Sequence, residues 1–140
     1  MRFIVFVKAT PESETGAPPS AEMLSQMGKF NQELIDAGVL LEANGLRASK
    51  QGARVRFSGA NRTVIDGPFA EAKELVAGYW VWQCKSLEEA IEWVKRCPNP
   101  MPDSRESDIE IRPIAELSDF PDVPEEVKKM EQRFASAKQG

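Results

Sequence analysis

The order of periodic segments in this 140-residue chain predicts an α+β domain. Strand, helix, strand, hairpin, strand, helix, strand is the ferredoxin-like βαββαβ plan with one inserted β-hairpin. Two further observations agree. Residues 2–8 and 75–84 are the two segments that are apolar on both alternating faces, as strands at the centre of a covered sheet must be. The plan places its first and third main strands at that centre. Two stretches with helical apolar spacing fall between strands, where the plan needs its helices.

Each element follows from local chemistry. Residues 2–8 carry Phe3, Val5 and Val7 on one face and Ile4 and Phe6 on the other, β-branched and aromatic types that suit a pleated surface. Residues 9–20 are rich in Thr, Pro, Ser and Gly and read as a loop. Ser20 is the expected N-cap of the first helix, since its hydroxyl can accept from a free first-turn N–H. Met23, Met27, Phe30 and Leu34 then form one apolar stripe, and Gly38 ends the helix. Val39 begins a second strand that runs through Glu42 and breaks at Asn44-Gly45. Residues 54–58 and 62–65 pair as a hairpin around Gly59-Ala60-Asn61. Val55 and Phe57 alternate there with Arg54, Arg56 and Ser58, so one face is expected to be wet and the other covered.

The longest strand is expected over Leu75–Cys84, with Tyr79, Val81 and Gln83 on one face and Trp80, Trp82 and Cys84 on the other. Ser86-Leu87-Glu88-Glu89 has the spacing of a capping box, in which Ser and Glu each satisfy an orphan backbone N–H. Leu87, Ile91 and Val94 form the stripe of that second helix, joined by Ala90 and Cys97, before Pro98, Pro100 and Pro102 stop it. Residues 108–112 form the last strand, with Ile109 and Ile111 facing in. Residues 1–114 make the domain and 115–140 an extension, helical from about residue 124 with a stripe of Val127, Met130 and Phe134. Both helices of this plan cover one side of the sheet. The other side keeps large apolar residues, so a homodimer stacked through the sheet face is expected, unless the extension covers it.

Composition removes several classes of chemistry. The chain has no histidine, which excludes Ser-His and Cys-His nucleophile activation and His-based zinc sites. Two cysteines, Cys84 and Cys97, are too few for a disulfide framework. They read as small core residues in a reducing compartment, so the protein is expected to be cytoplasmic. No apolar stretch is long enough for a membrane span, no secretion signal opens the chain, and no loop has calcium-binding or glycine-rich phosphate-binding spacing. No metal and no cofactor is expected. Residues 103–131 are strongly acidic, whereas 47–62 carry Arg47, Lys50, Arg54, Arg56 and Arg62 with no acid. Nucleic-acid binding is disfavoured, because that basic run has no interleaved aromatic beyond Phe57 and no recognition-helix pattern. It reads as a solvated hairpin face or as an attractor of a small anion.

Residues 66–79, Asp-Gly-Pro-Phe-Ala-Glu-Ala-Lys-Glu-Leu-Val-Ala-Gly-Tyr, resemble the signature of the YCII-related (YciI-like) family, in its DGPF-motif branch. The resemblance spans about residues 1–114. It implies a dimeric α/β-barrel type of ferredoxin-like fold with a cleft near the sheet. The activity of the family is largely undetermined, and some relatives occur with sigma factors. Relatives have been proposed to pair a first-helix His with an Asp just before the following Gly. Asp36 matches that Asp, but the corresponding helix region offers Met27 and Gly28 and no His.

The candidate site residues follow. Asp66 is a base or ligand acceptor, or else a cap for backbone N–H groups of its turn. Asp36 is the second catalytic candidate. Glu71 and Lys73 belong to a charged cluster that is either functional or an exposed ion-pair set. Arg47 is placed to clamp an anion. Trp80 is an aromatic floor for a flat ligand or a packing residue. Phe69 is expected to be a buried anchor. The leading functional expectation is a small-molecule-binding homodimer. A cofactor-free lyase, isomerase or hydrolase built on Asp66 or Asp36 is the alternative, with Arg47 or Lys73 holding an anionic substrate. A third reading is an accessory of transcription that acts through its acidic tail.

Overall fold

The computed structural model describes residues 1–101 and 105–139. Pro102 and Asp103 lie outside the described residues, as does the side chain of Lys73. Strands β1 (Arg2–Lys8), β2 (Leu40–Gly45), β5 (Val76–Gln83) and β6 (Ile109–Pro113) form an antiparallel sheet in the order β2-β5-β1-β6. The two strands that are apolar on both faces are therefore the two central ones. Strands β3 (Ala53–Ser58) and β4 (Asn61–Asp66) form a separate two-stranded sheet.

Helices α2 (Ala21–Asp36) and α3 (Leu87–Lys95) pack on the same sheet face. Phe3 stands beside Trp82, and Val5 beside Trp80, in the β1–β5 register. Phe30, Leu34 and Ala90 press onto them from the helices. The rings of Phe30 and Trp80 meet edge to face at 5.9 Å, and those of Phe30 and Trp82 at 6.2 Å. Burial of each large side chain contributes roughly 1.5–3 kcal/mol. Among the described residues, the buried indole Nε1 of Trp82 has no hydrogen-bond partner.

The caps explain where the helices start. Ser20 accepts from the Met23 N–H at 3.1 Å. Gly38 takes φ +73° after the C-cap of α2, a conformation that Gly adopts without a Cβ penalty. Ser86 accepts from the Glu89 N–H at 3.2 Å, but Glu89 accepts from the Lys85 N–H rather than from its expected N-cap partner. The reach-back bond of the box is thus displaced by one residue, to Lys85 at 2.7 Å. The stretch 9–20 is not all loop. A one-turn helix α1 (Pro11–Glu14) forms there, with a capping box between Thr10 and Ser13.

The hairpin departs from the expectation of one covered face. Val55 is 55%, Val64 65% and Phe57 70% exposed. Among the described residues, Val55, Phe57 and Val64 therefore stay open to solvent, and alternation by itself does not cover the apolar side. Phe69 is half-buried rather than buried, with the Arg54 guanidinium 3.9 Å from its ring centroid. Helix α4 (Glu125–Gln139) leaves Met130 and Phe134 more than half exposed. Among the described residues, no helix is long and apolar enough to cross a membrane.

Candidate functional site: a cleft under the first long helix

A cleft of about 730 Å³ opens between the N-terminal half of α2, the segment around α1, and strands β2 and β5. Its origin is the size of the residues facing the helices. Along β5 these run Trp82, Trp80, Gly78, and their β2 partners run Leu40, Ala43, Gly45. The floor drops where the side chains vanish, while α2 continues overhead. Met23, Leu24 and Met27 form the roof, and Val7, Ala43, Gly45 and Gly78 form the floor. Pro18, Pro19 and Pro100 close the rim. Methionine suits such a wall, since its unbranched thioether adapts to differently shaped ligands.

Few polar groups enter this apolar space. The Nε1 of Trp80 donates to Oδ1 of Asn31 at 2.9 Å, and both residues line the cleft. That bond commits the amide oxygen, so the amide NH₂ is the end left to donate to a ligand. On the other face of the sheet, at its edge, Tyr79 Oη donates to Glu42 Oε1 at 2.9 Å, and Asn44 Nδ2 donates to the same oxygen at 2.8 Å. On the α1 side, Glu12 takes a bond from Arg105 at 2.8 Å. Its carboxyl lies below the usual value, chiefly through a backbone hydrogen bond and then through Arg105.

Of the residues singled out from sequence, Trp80 lines the cleft while staying 5% exposed. It is both a core ring and a cleft wall. Arg47, Asp36, Asp66 and Glu71 are exposed and do not line it. Asp36 ends α2 and accepts from Gln32 Nε2 at 2.9 Å. Arg47 donates to Gln51 at 3.3 Å. Glu71 precedes the short 3₁₀ turn Ala72–Glu74. Met27, met in sequence as a core position, and Asn31 are cleft residues. The pairing of Gly45 with Gly78 across neighbouring strands is the sequence signal that foretells the hollow, but only once the register is known.

The loop after β4 has a packing role of its own. A Cβ on Gly67 would lie 1.8 Å from the Ser49 carbonyl oxygen. The Phe69 N–H donates to Ser49 Oγ at 3.0 Å, and the Ser49 N–H donates to Glu14 at 3.0 Å. The Ser49 hydroxyl also donates to Glu14. The motif backbone is thereby seated on the turn Ser49–Gln51, which is tied in turn to α1.

Both thiols are free, with Cys84 buried and Cys97 partly so. Burial pushes the Cys97 thiol up to about 12. Cys84 is raised too, by burial and then by the Glu89 charge. Protonated thiols of this kind are poor nucleophiles. Among the described residues, no group of three or more His, Cys, Asp or Glu is arranged to hold a metal ion.

Sheet, helices and cleft together define a small antiparallel α+β domain with a helix-covered hollow. The chain belongs to the YCII-related family: the YCII-related domain matches residues 1–118. It is also 31% identical over 107 residues to an uncharacterised protein of Rhizobium meliloti (strain 1021), an alignment covering 74% of this chain and 85% of that protein.

Proposed function

We propose that the chain is a cytosolic small-molecule-binding protein of the DGPF-motif branch, working as a dimeric α/β-barrel type homodimer. The cleft carries this reading. Its volume of about 730 Å³ falls within the range of roughly 300–1,000 Å³ for ligand pockets, which are apolar with a few placed polar groups. The ligand it suits is mainly apolar and small, with an acceptor oxygen or nitrogen to meet the Asn31 amide. Dimerisation through the open sheet face is supported by Ile4, Phe6, Tyr79 and Val81, which lie opposite the helix layer and are partly exposed. Binding without chemistry is the reading we favour, because Asp36 and Asp66 do not line the cleft.

Thermal-shift measurements across a metabolite panel, with native mass spectrometry of the purified protein, test it. Ligands that raise the melting temperature are expected to be apolar, to bind the wild type and to lose affinity in Asn31→Leu. A panel that yields only binders indifferent to cleft substitutions would overturn the proposal.

A further inference from the structure

Two surfaces outside the cleft are complementary to one another and are left uncovered within a single copy. The first is the hairpin. Residues 43–65 contain Arg47, Lys50, Arg54, Arg56 and Arg62 and no acid. Val55 lies directly opposite Val64, and Phe57 opposite Arg62, so these share one face. Phe57 is 70% exposed, with the Arg62 guanidinium 4.3 Å from its ring centroid. The second surface is residues 113–127, which contain Glu116, Asp119, Asp122, Glu125 and Glu126 and no base. Phe120 stands in its middle, 54% exposed.

The charges on these surfaces are largely unspent. Among the described residues, none of the five hairpin-region cations forms an ion pair, and neither do Asp119, Asp122 or Glu126. A basic surface with an apolar centre faces solvent, and so does an acidic one with an apolar centre. We propose that residues 113–127 of a second copy of this chain dock on the β3–β4 hairpin. Phe120 packs against Val55, Phe57 and Val64, and the flanking carboxylates meet Arg62 and its basic neighbours. The occupant is a second copy because the complement is encoded in the same polypeptide at equal stoichiometry. In a two-fold pair the contact is made twice, each copy giving its hairpin and its acidic segment. This contact is separate from the open sheet face and does not rest on the cleft.

Charge reversal tests it on the full chain. Association is measured by sedimentation from low to high salt for the wild type, for Arg56→Glu/Arg62→Glu, and for Asp122→Lys/Glu126→Lys. All four positions are exposed, and circular dichroism verifies the fold of each variant. Each reversed variant is expected to associate about tenfold or more weakly than the wild type, because like charges then face each other. Mixing the two reversed variants is expected to restore association to about the wild-type level, since opposite charges face again. Added salt weakens the wild-type contact by screening. Phe120→Ser, which alters no charge, is expected to weaken it as well. A wild type that stays monomeric at low salt overturns the proposal, as do reversed variants that associate like the wild type and a mixture that fails to recover. Titration with a DNA duplex is the last arm. Tight binding that depends on Arg56 and Arg62, with association unmoved by Asp122→Lys/Glu126→Lys, would assign the hairpin to a polyanion instead.

Discussion

Trp80 Nε1 and Asn31 Oδ1 lie 2.9 Å apart and join the central strand to the long helix. The bond satisfies an indole donor that is otherwise buried, and it orients the amide at the wall of the cleft.

Replacing Asn31 with Leu leaves that donor without a partner. A buried donor stripped of its acceptor costs about 1–3 kcal/mol. Asn31→Asp keeps an acceptor and is expected to cost less. Urea unfolding followed by tryptophan fluorescence measures both. Equal stability of Asn31→Leu and wild type would show that the bond contributes nothing net.

Gly67→Ala places a methyl 1.8 Å from the Ser49 carbonyl oxygen, so backbone must move. Overpacking of this kind costs typically about 1–3 kcal/mol. Gly52→Ala is the comparison, because its Cβ would sit 3.5 Å from the same oxygen, in ordinary contact. The expected order of unfolding midpoints is wild type, then Gly52→Ala, then Gly67→Ala. The reverse order of the two variants would remove the packing role assigned to Gly67.

Gly45→Phe fills the hollow without breaking a hydrogen bond. Nothing lies within 4 Å of a Cβ built there, and the register turns that position toward the helices beside Gly78. A variant that keeps its melting temperature but no longer shifts with cleft ligands is the expected outcome. Undiminished ligand response would place the binding site elsewhere.

Alkaline pH acts through Cys97. Its folded-state value of about 12 lies above the ordinary thiol value of 9.0, so the native state holds the proton more tightly. This contribution is fully present below pH 9 and is lost as pH rises through about 12. Stability measured between those limits is expected to fall with pH, and the slope is expected to flatten in Cys97→Ala. At neutral pH, a thiol reagent is expected to label Cys97 slowly in the native protein and quickly in urea. Rapid native labelling would contradict the burial argument.

The sheet was legible from residues alone because its signal is local. Trp80 and Trp82 sit two apart between Tyr79, Val81 and Gln83, and that alternation survives whatever lies on either side. The one-turn helix was harder to see: Thr10-Pro11 carries the cap and the helix-start proline, but a four-residue helix has too few positions to show a period. Val55 and Phe57 misled for the opposite reason. Alternation reports that a strand has an apolar side, and nothing in it says whether another element covers that side. The cleft was hidden for a geometric reason, since Gly45 and Gly78 are far apart in the chain and meet only through strand pairing.

Sequence by itself determined the order of elements, the central pair of strands, the stripe of α2 and the absence of histidine chemistry. These depend on side-chain type and on spacing within one segment. Tertiary structure alone decided where the hollow lies, that Asn31 and Met27 border it while Asp66 does not, and that the hairpin stands bare. Each of those outcomes depends on which distant segments become neighbours, and register and packing settle that only when the chain closes on itself.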